Sequence, residues 1–70
     1  MEYYIVDPKD RPVSCFQFGE NRIVFRKKDC LVFSLKNEAE QLLSHIVRLA
    51  INKAQALSLR IVEGVDNIDW

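Results

Sequence analysis

Glycine and proline are scarce in this chain: its 70 residues hold two of each. Gly19 and Gly64 stand alone, so no glycine-rich turn leads into a helix, and a phosphate-cradling loop is excluded. Histidine is scarcer still. His45 is the sole imidazole, and Cys15 and Cys30 do not form a Cys-x-x-Cys, so the chain lacks the ligands for a tetrahedral zinc set. A Cys–His nucleophile would need His45 beside one thiol and a third group to orient the ring. His45 falls on the polar side of a helical pattern, where a solvated histidine is the simpler reading. No metal, no cofactor and no enzymatic activity are expected.

Net charge is absent too, with ten basic residues against ten acidic ones. A whole-surface nucleic-acid binder should be basic and a DNA mimic strongly acidic, so neither describes the entire molecule. No apolar run approaches the roughly 18 residues that would span a bilayer, and Met1–Asp7 lacks the basic region and apolar run of a secretory signal. A cytoplasmic protein without membrane association is the expectation. In that reducing compartment the two cysteines read as free thiols packed as small hydrophobes.

What is present is apolar content, at 49% of residues, with charges in balance, which is the composition of a folding chain. Seventy residues suffice for one domain, and a chain this short buries only about 60% of its unfolded surface. The pattern predicts an α+β domain spanning 1–70: an antiparallel sheet of four to five short strands packed against one long amphipathic helix, in the order β-β-(β)-β-α-β. Glu2–Val6 is rich in β-branched and aromatic residues and stops at Asp7-Pro8-Lys9-Asp10-Arg11-Pro12, a turn or short loop. Val13–Phe18 alternates, with Val13, Cys15 and Gln17 on one side and Ser14, Phe16 and Phe18 on the other, and is expected to pair with the first strand as a hairpin. Arg22–Arg26 and Cys30–Ser34 are apolar runs around a polar turn, and both read as strands, the first with an irregular excursion as its alternative.

Ala39, Leu42, Leu43, Ile46, Ala50, Ala54 and Leu57 recur at three- and four-residue steps, which predicts a helix from Leu35 or Glu38 to Ala56. Its start carries two signals: Ser34 as a cap, or Asn37 with Glu40 as a capping box. Val47 and Ile51 widen the apolar face on one flank and Leu49 on the other. They either tuck under loops or form a surface for self-association, a homodimer joined through Val47 and Ile51. Ser58–Glu63 alternates and reads as the last strand, its expected partner being the first.

Charge is uneven along the chain. Arg22, Arg26, Lys27, Lys28 and Lys36 crowd one stretch against Asp29 alone, while Glu63, Asp66 and Asp69 make the C-terminal end acidic. Arg22, Arg26, Lys27 and Lys28 around Phe25 resemble the mix of phosphate contacts and stacking ring used on single-stranded nucleic acid. The plainer role for such charges is to flank an apolar strand and discourage edge-to-edge aggregation. Trp70 either folds back over a core edge or projects as a partner anchor.

The order of elements, with Tyr3-Tyr4-Ile5-Val6-Asp7, Leu31-Val32-Phe33-Ser34 leading into Asn37-Glu38-Ala39, and a closing Leu59-Arg60-Ile61-Val62, resembles many small phage proteins, among them anti-CRISPR and other anti-defence inhibitors. The likeness is one of layout and carries no specific motif. It implies a compact, non-enzymatic inhibitor that occupies a surface of a host defence protein or ribonucleoprotein complex, with Arg22, Phe25, Arg26, Lys27, Lys28 and Trp70 as the contact. The rival expectations are a small regulator that binds nucleic acid directly or acts as a homodimer, and a structural subunit of a larger assembly.

Overall fold

Short runs of β-branched and aromatic residues set the strands, and a 3.6-residue apolar period sets the helix. In the computed structural model, which describes residues 1–64, the chain is α+β. The order is β1 (Tyr3–Val6), β2 (Val13–Gln17), β3 (Arg22–Phe25), α1 (Lys36–Leu49), α2 (Lys53–Leu57) and β4 (Arg60–Glu63). The expected single sheet of four to five strands is replaced by two antiparallel pairs, β1 with β4 and β2 with β3. β1 and β4 pair in the register Tyr3↔Glu63 through Val6↔Arg60, which is the partnership the sequence pattern assigns to the last strand.

The expected β1–β2 hairpin shrinks to one bridge, Val6 with Pro12. Pro12 has no N–H to give to a ladder, and its carbonyl accepts from the Arg26 N–H at 3.2 Å, turning that position toward β3 instead. Beyond the bridge the two strands take different partners. Cys30–Ser34, expected as a strand, instead ties the pairs together: the Leu31 N–H donates to the Val13 carbonyl (3.0 Å), and Phe33 and Tyr3 exchange two bonds of 2.9 Å each. Leu31 and Phe33 lean on the core while Val32 faces solvent, so the alternation is real although the ladder is one bridge long.

A bulge between Val13 and Cys15 shifts the phase of β2. Val13 and Phe16 therefore face the core together and Cys15 is exposed, which corrects the strict alternation expected over Val13–Phe18. Phe18, at the turn, stands exposed with its ring edge-on to Phe16 at 5.0 Å.

The long helix breaks. Ala50 takes an extended ψ of 138° after donating the last helical bond to Ile46, and the Ile51 N–H crosses to the Asn21 carbonyl at 2.9 Å. Asn52 then caps α2, its side chain accepting from the Gln55 N–H at 3.0 Å, and Lys53 Nζ reaches back to the Val47 and Arg48 carbonyls. Several of the polar groups the break exposes thus gain a partner, which lowers the free-energy cost of the interruption. Because α2 restarts with a new phase, Ala56 and Leu59 are buried, whereas Ala54 and Leu57 are exposed. At the other end Leu35 is the cap residue, extended and without a side-chain acceptor, and Glu38 supplies the only capping bond by accepting from the Leu35 N–H at 3.3 Å. Neither Ser34 nor Asn37 takes the cap position.

The core gathers Ile5, Val13, Phe16, Ile23, Ala39, Ile46, Ala50, Ala56 and Leu59. Tyr4 and Val6, on the opposite face of β1, are buried as well, although they stand outside that cluster. Ile46→Ala should lower unfolding free energy by about 2–5 kcal/mol, because its side chain is fully buried. Ile51→Ala, at a residue 78% exposed, should change it by less than about 0.5 kcal/mol. Urea titration of both variants checks this contrast.

Candidate functional site

The loop after β1 builds one side of the site. Asp7 is only 4% exposed, and its carboxylate accepts from the backbone N–H groups of Lys9 (3.0 Å) and Arg11 (2.8 Å). The same carboxylate takes Nε of Arg11 at 2.7 Å and Nη2 at 2.6 Å, a two-point grip on the guanidinium. Asp10, at φ 64°, makes the left-handed step that lets the loop close, and its N–H donates to the Asp7 carbonyl at 2.9 Å. Arg60 of β4 holds the loop from outside, donating to the Asp7 carbonyl at 3.1 Å and pairing with the Asp10 carboxylate. Burial alone would raise the Asp7 carboxyl, but the donors from Arg11 and Lys9 and the Arg11 charge outweigh it and hold the group below its ordinary value.

Gripped in this way, the Arg11 guanidinium lies 5.5 Å from the centre of the Phe25 ring. Phe25 stands opposite Val13 and is half-buried against the core, so its ring is a supported platform already carrying a cation. The bond from Arg26 to Pro12 brings Arg26 beside the Arg11 loop, and Lys27 and Lys28 follow in the turn. Arg26, Lys27 and Lys28 are exposed, and among the described residues none of the three makes an ion pair.

The residues singled out in the sequence therefore fall into separate places. Phe25, Arg26, Lys27 and Lys28 come together. Arg22 sits at the far end of β3, about 13 Å away at the usual strand rise, paired with Glu20 at 3.3 Å and donating to Gln17 Oε1 at 3.1 Å. Trp70 lies outside the described residues, as do Asp66 and Asp69. Arg11 is the residue that the sequence pattern does not reveal, although an aspartate opening a proline-bracketed loop with an arginine four positions on is a recognisable sign of such a turn.

Elsewhere, Val47 packs on the core while Ile51 is exposed in the link between helices, so the two do not form a common helix flank. His45 is exposed on α1 with Nδ1 2.9 Å from Arg48. Burial pushes the Cys30 thiol up, outweighing an opposing backbone hydrogen bond, with Asp29 adding to the rise and Lys27 opposing it. A half-open hollow of about 120 Å3, lined by Tyr3, Lys36, Ile61, Val62 and Glu63, is small beside ordinary ligand pockets. Among the described residues no three metal-ligating side chains gather, and no helix is long and apolar enough to cross a membrane. Comparison with protein-family models, curated proteins and solved structures finds no match to this chain.

Asp7→Ala should destabilise the fold by about 2–4 kcal/mol, since it strands the donors that converge on the carboxylate. The pH signature is specific. A depressed carboxylate contributes stability fully above its unfolded value of about 3.9 and loses it as pH falls through the lower folded value. Wild-type stability measured by urea titration should therefore drop more steeply below about pH 4 than that of Asp7→Asn; parallel curves would remove Asp7 from this role.

Proposed function

We propose that this chain is a non-enzymatic binding protein that acts by occupying a surface of a partner, as the phage inhibitors of host defence complexes do, with Arg26, Lys27 and Lys28 as its contact. The observation that carries this reading is the run of three exposed cations that make no ion pair among the described residues, set beside the Phe25 ring and its Arg11. Exposed cations of this kind are available to meet an acidic surface, where complementary charge steers encounter and fixes register. The resemblance in layout adds the class of partner, a CRISPR-type protein or ribonucleoprotein complex.

The test is charge reversal. Expression of the wild-type chain should restore plaque formation by a phage that a CRISPR-type complex targets, and Arg26→Glu with Lys28→Glu should abolish that rescue. Both positions are exposed, so each change should alter folding stability by less than about 0.5 kcal/mol. Full rescue by the doubly reversed chain would sink the proposal. Capture of the defence complex that disappears after nuclease treatment would instead favour direct binding to nucleic acid, with its steep salt dependence.

A further inference from the structure

Strand β3 has an outer edge. In an antiparallel pair, successive residues direct their backbone groups alternately toward the partner and away from it. The bond from the Arg26 N–H to the Pro12 carbonyl fixes that alternation: Val24 turns its backbone groups toward β2, and Ile23 and Phe25 turn theirs away. Among the described residues β3 pairs with β2 alone; on its other side the N–H groups of Ile23 and Phe25 donate to no backbone carbonyl and their carbonyls accept from no backbone N–H, and the one bond at this edge runs from the Ile51 N–H to the Asn21 carbonyl, just before β3 begins. The edge thus offers two donors and two acceptors in register.

Side chains alternate across the strand as well. Ile23 and Phe25 face the core, which puts Arg22, Val24 and Arg26 in a row on the other face. From this juxtaposition of an unpaired edge and a cation–apolar–cation row, we infer that β3 takes an extended acidic segment of a protein partner as an added strand. Its side chains would read acidic, apolar, acidic at positions i, i+2 and i+4. This rests on the basic contact proposed above and specifies its mode.

A second copy of the chain is a poor occupant, because pairing β3 with β3 sets Arg22 and Arg26 against like charges, which is destabilising across strands. An acidic strand gains on both counts: backbone bonds supply affinity and the Arg22–Val24–Arg26 row supplies register. The ion pair of Arg22 with Glu20 is exposed and so yields readily. A polynucleotide would need a longer basic track and more than one ring to stack on, and Glu20 and Asp29 interrupt any such track.

Two ten-residue peptides test the inference, one centred on Glu-Thr-Val-Thr-Glu and one on Lys-Thr-Val-Thr-Lys, titrated into the whole chain and followed by amide hydrogen exchange. The acidic peptide should bind at least tenfold more tightly than the basic one and slow exchange at Ile23 and Phe25 at least tenfold, while Val24, already turned toward β2, changes little. Binding of the acidic peptide without protection at Ile23 and Phe25 would overturn strand addition and leave the basic contact standing. Absence of any preference for the acidic peptide, in a chain whose rescue still depends on Arg26 and Lys28, would overturn the inference alone. Tighter binding of a single-stranded oligothymidine than of the acidic peptide would overturn it in favour of phosphate recognition. Rescue that survives the double charge reversal would remove the contact reading and this inference together.

Discussion

Two-stranded sheets are marginal in water, and this protein is built from two of them. What makes them one structure is the backbone of residues 31–33, which bonds to Val13 of one pair and to Tyr3 of the other. These bonds lie where β1 and β2 part company after the Val6–Pro12 bridge. Without this third backbone each pair would present an unsatisfied edge toward the other, and buried unpaired backbone groups are costly. The core side chains of β1, β2 and β3 meet α1 only because that seam holds the two pairs side by side.

A second dependence runs from Asp7 to the basic surface. The carboxylate shapes its own loop through the N–H groups of Lys9 and Arg11, and by gripping the Arg11 side chain it places a guanidinium against Phe25. The same loop leads into Pro12, whose carbonyl receives Arg26. Structure and recognition therefore share residues here: the groups that end β1 also position the cations of the contact. Arg60, reaching in from β4, links the far end of the chain to this arrangement.

The α+β class, the earlier of the two expected helix starts, the positions of β1–β4 and the pairing of first with last strand were legible from periodicity, whereas the single sheet and the unbroken helix were not. Partnership was less legible. Pro12 reads in a sequence as a turn residue, yet its missing N–H decides that β1 and β2 separate. Ser14 reads as the polar member of an alternating strand, yet it is the extra residue of a bulge that turns Phe16 inward with Val13. Asn52 reads as one more polar helix position, and its short side chain instead caps a second helix. Each of these outcomes is set by a hydrogen bond to a residue distant in sequence or by a single cap, which hydropathy does not encode. The basic residues were visible as a cluster along the chain, but strand geometry separates Arg22 from Arg26 and brings in Arg11 from another loop.

The pairing of Tyr3 with Glu63 joins the two ends of the described chain. During synthesis β1 is made some way ahead of its partner strand, with β2, β3 and both helices lying between them. At about 5–20 residues per second the interval is roughly three to twelve seconds. Until then, among the described residues outside β4, Tyr3–Val6 bridges to the Pro12 position and, once it is made, to Phe33. Closing so distant a pair also carries the entropy of a long loop. The β2–β3 pair, local in sequence, is thus placed to form first, and the nascent chain carries the scaffold of its basic surface before its first strand has found its mate.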